Sequence, residues 1–190
     1  MFSANQTPTY SQKDTVRNVE ATGKFVWNLA TYELRDAVNT SAVQEAYGVD
    51  EFEKAGVEKE DSKLSAVTIN GEREAMIPMV KRSPIKFECE HYTTLRLPGN
   101  PPMGPADVVI GRVVGIHIDE RVLTDGKIDI KKTEPIARCG YYEYAVVRDV
   151  FEMRIPGEDK ALLAGLEGSS RKNQKLDRDG TVDVEDKPQQ

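Results

Sequence analysis

Residues 107–118 (Asp-Val-Val-Ile-Gly-Arg-Val-Val-Gly-Ile-His-Ile) are the longest β-forming run in the chain, and they constrain the fold more than any other segment. A run this rich in Val and Ile reads as a long strand, and Gly111 and Gly115 inside it mark bulges or a close backbone approach. Upstream, Ile85, Phe87, Cys89 and His91 alternate with Lys86, Glu88 and Glu90. That period of two predicts a half-buried antiparallel strand with the apolar side inward and the charges outward. Ala66–Ile69 and 72–79 flank Asn70-Gly71, a pair that tolerates the positive φ values of a hairpin turn. Phe25–Leu29, the Asp125-Gly126 turn leading into 127–130, and a last strand over 146–155 closed by Pro156 complete an antiparallel set.

Helices are short and fall early. Asp14 or Thr15 caps a two-turn helix with Val16 and Val19 on one side and Gly23 as its stop. Thr31 caps a second through about Asn39, and Asp50 caps a third that ends at Gly56. Residues 57–66 read as a charged connector. The sum is an α+β protein, mainly antiparallel, most economically a small β-barrel with short inserted helices. A hydrophobic content of 38 % supports one core only if some polar segment lies outside it. Residues 157–190, with eight acids, six bases and no aromatic residue, read as a disordered polar tail, leaving 1–156 as the domain.

Several functions are disfavoured at once. A formal charge of −6 opposes a nucleic-acid binder. No apolar run reaches the ~20 residues of a membrane span, and no secretory leader pattern opens the chain. Cys89 and Cys139 stand 50 residues apart without metal-ligand spacing and read as small buried hydrophobes of a cytoplasmic protein. Two histidines cannot build a multi-His metal site, so no metal is expected, and no GxSxG, HExxH or GxxxxGKS motif is present. The reactive group of any enzyme here would come from an organic cofactor.

Lys13-Asp14-Thr15 is the most informative triplet. It stands where a polar segment enters a helix, so free backbone N–H groups and the positive dipole end are available to an anion. Lys13 adds a full charge, the Thr15 hydroxyl can donate to a phosphate oxygen, and Asp14 suits a backbone cap better than an anion ligand. On the residues alone, a capped surface helix with a flanking lysine is the favoured explanation, because such triplets are common. His117 reads as a surface or core residue or a substrate neighbour, and Arg138 and Tyr144 as packing or a cation and an aromatic ring beside a ligand. Trp27 reads as core.

The succession Met1-Phe2-Ser3-Ala4-Asn5, Lys13-Asp14-Thr15-Val16-Arg17-Asn18, Thr22–Leu29, Tyr47-Gly48-Val49-Asp50-Glu51-Phe52, Ser83–Glu90, Val109–His117 and Pro135–Arg138 resembles the flavin reductase-like FMN-binding split-barrel family. The resemblance spans residues 1 to about 156. It implies a homodimeric six-stranded split β-barrel binding FMN, sometimes FAD, between subunits. A reduced nicotinamide, NADH or NADPH, would reduce the flavin, which passes hydride to a small acceptor or a partner monooxygenase. It further implies that Ser3 and Asn5, on a loop, contact the flavin and that Lys13 and Thr15 hold its phosphate with Asp14 in support. His117, Arg138 and Tyr144 become candidates near flavin or substrate, and no protein residue is expected to act as catalytic nucleophile or base. Two departures accompany it. The family's first strands precede the position of Met1, so an N-terminally incomplete barrel is expected, with a flavin-storage module or an inactive truncated product as alternatives. Where short flavin reductases carry an aspartate-histidine pair near the nicotinamide, this chain reads Pro105-Ala106-Asp107.

Overall fold

The computed structural model describes residues 1–6, 11–69, 73–100, 104–151 and 153. The chain divides into two compact units, residues 1–124 with 128–149 and residues 125–127 with 150–190; the sheet and helices that position the site belong to the first. Its centre is a four-stranded antiparallel sheet of β1 (Phe2–Asn5), β2 (Lys24–Asn28), β5 (Ile85–Leu97) and β6 (Ala106–Ile118), in the order β1-β6-β5-β2. The two longest strand-like runs of the sequence are thus its central pair, with Phe87 opposite Ile116 and Ile85 opposite Ile118. A separate hairpin of β3 (Lys59–Ile69) and β4 (Arg73–Val80) lies over the β2 end of the sheet: the Lys24 ammonium reaches the Ala66 carbonyl, and the Val80 N–H donates to Asn28 Oδ1. The Asn70-Gly71 turn itself lies outside the described residues, as does the polar segment 157–190 with the domain boundary at 156.

The helix α1 (Asp14–Thr22) follows β1, and α2 (Arg35–Ser41) and α3 (Glu51–Ala55) follow β2. Gly23 and Gly56 stop α1 and α3 at φ 69° and 65°, a left-handed geometry that glycine adopts without a Cβ penalty. Asp50 caps α3 by accepting the Phe52 N–H. Val16 and Val19 of α1 bury against Phe25, Cys89 and Val109, with Phe2, Ala4 and Phe87 packed around them. Downstream, β7 (Leu123–Thr124), β8 (Lys127–Ile128) and α4 (Ile130–Thr133) precede a two-stranded ribbon of β9 (Ile136–Gly140) and β10 (Glu143–Val146).

Six sequence expectations are corrected. Most of the expected charged connector 57–66 belongs to β3, from Lys59 on, and the pairing with β4 breaks between Asp61 and Ala66. Lys86 and Glu88 on β5 point away from the apolar core yet are buried, because β3 covers that second face. Among the described residues the last strand ends at Val146, where it was expected to begin. Trp27 is 36 % exposed, stacked on Phe87 at 4.9 Å rather than enclosed, and the Cys139 thiol is exposed while Cys89 is buried. At the start of α1 the cap position is Lys13, with Asp14 already inside the helix.

Candidate functional site

The core cluster brings two sequence-distant segments together. Alternation along β1 turns Phe2 and Ala4 to the core and Ser3 and Asn5 to solvent, and Phe2 meets Phe25 edge-on at 5.4 Å. Val16 and Val19 press α1 onto the same Phe25 and Val109. Ser3 and Asn5, expected on a loop, instead stand on a strand in register with Val108 and Ala106.

The start of α1 has no side-chain cap. Lys13 occupies the cap position in extended geometry, its carbonyl accepts the Val16 and Arg17 N–H groups, and no side chain caps the helix. A nine-residue helix left in this state directs its first-turn amides and positive dipole end outward. Lys13 has no carboxylate within ion-pair distance among the described residues. Asp14 is drawn toward Arg17 at 3.7 Å within the same turn, which offsets its charge at the mouth of the site. The Thr15 side chain is exposed, and Ser3 and Asn5 make no side-chain hydrogen bond among the described residues. Uncommitted ammonium, hydroxyl and amide groups beside a bare helix start fit a phosphorylated, hydroxyl-bearing ligand such as FMN.

The remaining candidates lie elsewhere in the chain. His117 is nine residues along β6 from Val108, the partner of Ser3, or about 30 Å at ~3.3 Å per strand residue. Its Nε2 donates to Glu88 at 2.6 Å, so its ring is held in an interior network. Arg138 and Tyr144 face each other across the β9–β10 ribbon, both exposed, and the Arg138 guanidinium donates to the Tyr141 carbonyl at 3.0 Å. Among the described residues, no hydrogen bond or ion pair joins these three to Ser3, Asn5, Lys13 or Thr15.

Strand alternation concealed the most heavily bonded carboxylate among the described residues. Glu88 is fully buried and accepts the Lys63 and Leu64 N–H groups at 2.7 and 2.8 Å, the Ser65 hydroxyl at 2.8 Å, and His117. Burial alone would raise its pKa. The two amides, the hydroxyl and the imidazole outweigh that and bring it down to about 2. The amides come from the stretch of β3 that leaves the β4 ladder, so Glu88 replaces the hydrogen bonds that the irregularity removes. Only the opposing hairpin gives Glu88 this role, and no pattern within β5 could have indicated it.

A family model described as flavin reductase like domain matches residues 1–133. An uncharacterized protein of Halalkalibacterium halodurans is 28 % identical over 155 residues, covering 82 % of this chain and 69 % of that protein. Among solved structures, nitrilotriacetate monooxygenase component B from Bacillus cereus is 27 % identical with a TM-score of 0.67, covering 80 % of this chain and 69 % of the other. Flavoredoxin from Methanosarcina acetivorans, at 18 % identity and a TM-score of 0.57 over 85 % of this chain and 81 % of its own, shares the fold. The architecture is that of the flavin reductase split barrels: mainly antiparallel, a curled sheet with few short helices.

Proposed function

Because the chain belongs to the flavin reductase-like family, we propose that it is an FMN-binding oxidoreductase whose phosphate cradle is the start of α1. The observation that carries this reading is the uncapped helix start with unpaired Lys13, fixed by one core cluster beside the outward Ser3 and Asn5. Lys13 and Thr15 bind the phosphate, Arg17 offsets the charge of Asp14, and Ser3 and Asn5 bond the ribityl chain or ring. FAD would use the same phosphate contacts. The flavin supplies the hydride-accepting centre, which is why no nucleophile or general base is needed among the protein side chains. Reduced nicotinamide is the proposed donor. The likeness to a monooxygenase component at 27 % identity supports an acceptor that is itself an oxygenase. We place the protein in the cytoplasm as a homodimer.

The test is steady-state oxidation of NADH and NADPH with and without added FMN. Stimulation by FMN supports a reductase, and FMN binding without nicotinamide turnover supports a flavin-storage module. One feature favours the storage reading: Asp107, in the region where short flavin reductases carry their aspartate-histidine pair, is 1 % exposed and faces inward. A protein that binds no FMN at saturating concentration refutes both.

A further inference from the structure

We propose that the cavity between α2 and α3 is a binding site for a small arylalkyl- or alkylammonium ligand, its apolar body between the helices and its cationic head on Glu51. The cavity measures about 240 Å³, with walls that include Leu34, Ala37, Val38, Phe52, Ala55 and Val80. An apolar cavity of about 150 Å³ already accepts benzene, so this one has room for a single ring and a short arm. Alanine on both facing helices, Ala37 on α2 and Ala55 on α3, leaves the space that a larger side chain would fill.

The polar groups of the lining decide the ligand's charge. Asn28 is committed, its Oδ1 accepting the Val80 N–H at 2.9 Å. The Ser41 hydroxyl donates to the Val38 carbonyl at 3.1 Å. Glu51 alone among these polar lining groups has no hydrogen bond or ion pair among the described residues. Three neighbouring acids are already matched: Asp14 by Arg17, Glu45 by Lys54 and Asp50 by Lys59. Partial burial, followed by the charges of Asp14, Glu45 and Asp50, raises the Glu51 pKa against the opposing pull of Lys13. A cavity with an apolar body and one unmatched carboxylate at its edge disfavours an anion and favours an ammonium. This inference does not depend on the flavin reading.

The experiment is a ligand-observed NMR titration of the full chain with phenethylamine, 2-phenylethanol and phenylacetate. Phenethylamine is expected to bind about tenfold more tightly than the alcohol, and phenylacetate not at all. The exposed substitution Glu51→Gln should reduce the amine to the alcohol's affinity, while Ala37→Phe and, independently, Ala55→Leu should abolish binding of both. Equal affinity for amine and alcohol in the unaltered protein overturns the proposal, as does amine binding that survives Ala37→Phe. Competition between FMN and phenethylamine also overturns it, since the cavity would then be part of the flavin site.

Discussion

Glu88 Oε1 and His117 Nε2 lie 2.6 Å apart, joining β5 to β6 on the face that β3 covers. At that point a buried carboxylate collects two backbone amides, a hydroxyl and an imidazole. Beside it Lys86 pairs with Glu60 at 2.7 Å, so the second sheet face is covered through charge and hydrogen bonding, whereas α1 covers only part of the first face by apolar packing. The β3–β4 hairpin is fastened by these directional contacts together with the buried apolar side chains of Val67 and Met79.

Replacing Glu88 should loosen that fastening. Glu88→Ala strands two amides and a buried hydroxyl, a loss of about 2–4 kcal/mol by urea denaturation. Glu88 also predicts an acid limb. Its folded pKa of about 2 lies below the ordinary 4.5, so its contribution is complete above pH 4.5 and disappears as pH falls from there toward 2. The stability gap between the unaltered protein and Glu88→Gln should narrow across that window. A gap that stays constant would show that the carboxylate charge is not what the network recognises.

The two glycines of β6 are space requirements rather than turn residues. A Cβ at Gly111 would stand 2.5 Å from Cε1 of Phe25 and 2.9 Å from the Glu90 carbonyl oxygen, and neither the packed ring nor the paired backbone can retreat cheaply. Gly111→Ala should cost about 2 kcal/mol. Gly115→Ala meets Cδ1 of Leu64, the movable end of an exposed side chain, at 2.9 Å and should cost less. A reversed order in thermal melts would contradict this packing.

Local chemistry made some of this architecture legible and left the rest hidden. Gly23, Gly56 and Asp50 announce helix ends because few residues suit a left-handed stop or an amide-accepting cap, and these features survive any tertiary context. The strands were evident over 85–92 from alternation and over 107–118 from a long Val/Ile run, but the extension of β5 to Leu97 was not. The burial of Lys86 and Glu88 was not evident, because alternation reports two faces and cannot say that both are covered. Residues 57–66 look like a connector because their charges serve partners outside the segment, Lys81 for Glu58, Asp50 for Lys59 and Lys86 on β5 for Glu60. Near the candidate site, the helix start was readable from its polar entry, although the cap is Lys13 rather than Asp14 or Thr15. The distance of His117 from Ser3 depends on strand register, which is a property of the assembled sheet.

Lys13 should contribute to ligand affinity and hardly at all to folding. Its ammonium has no ion-pair partner among the described residues, so Lys13→Ala should leave the melting temperature within about 2 °C. Against FMN, loss of a charge-assisted contact at a helix start should weaken binding about tenfold, and Thr15→Ala, which removes one neutral donor, about threefold. Riboflavin lacks the phosphate, so its affinity should be the same in the unaltered protein and both variants. Fluorescence quenching titrations with the two flavins check this, and an equal loss for riboflavin would move the contact away from the phosphate.

The proposed dimer has a defined surface to fail on. Trp27, Phe87 and Ile116 form one row across β2, β5 and β6, being paired in register from strand to strand. Ile116 is 61 % exposed, and Val113 and Ile118 on either side of it are also exposed. A row of this kind on a central strand pair is apolar surface that a second copy can bury without rearranging the sheet. Ile116→Glu places a charge in the middle of the row, far along β6 from Lys13 and outside the α1 core cluster, so it should not alter folding. Light scattering should find the unaltered protein at twice the chain mass and Ile116→Glu at the chain mass, with far-UV circular dichroism unchanged. If FMN lies between subunits, as the family resemblance implies, the monomeric variant should also lose most of its FMN affinity while Lys13 remains intact. A dimer that persists in Ile116→Glu would place the subunit contact on another face, and a monomer that still binds FMN fully would confine the flavin site to one chain.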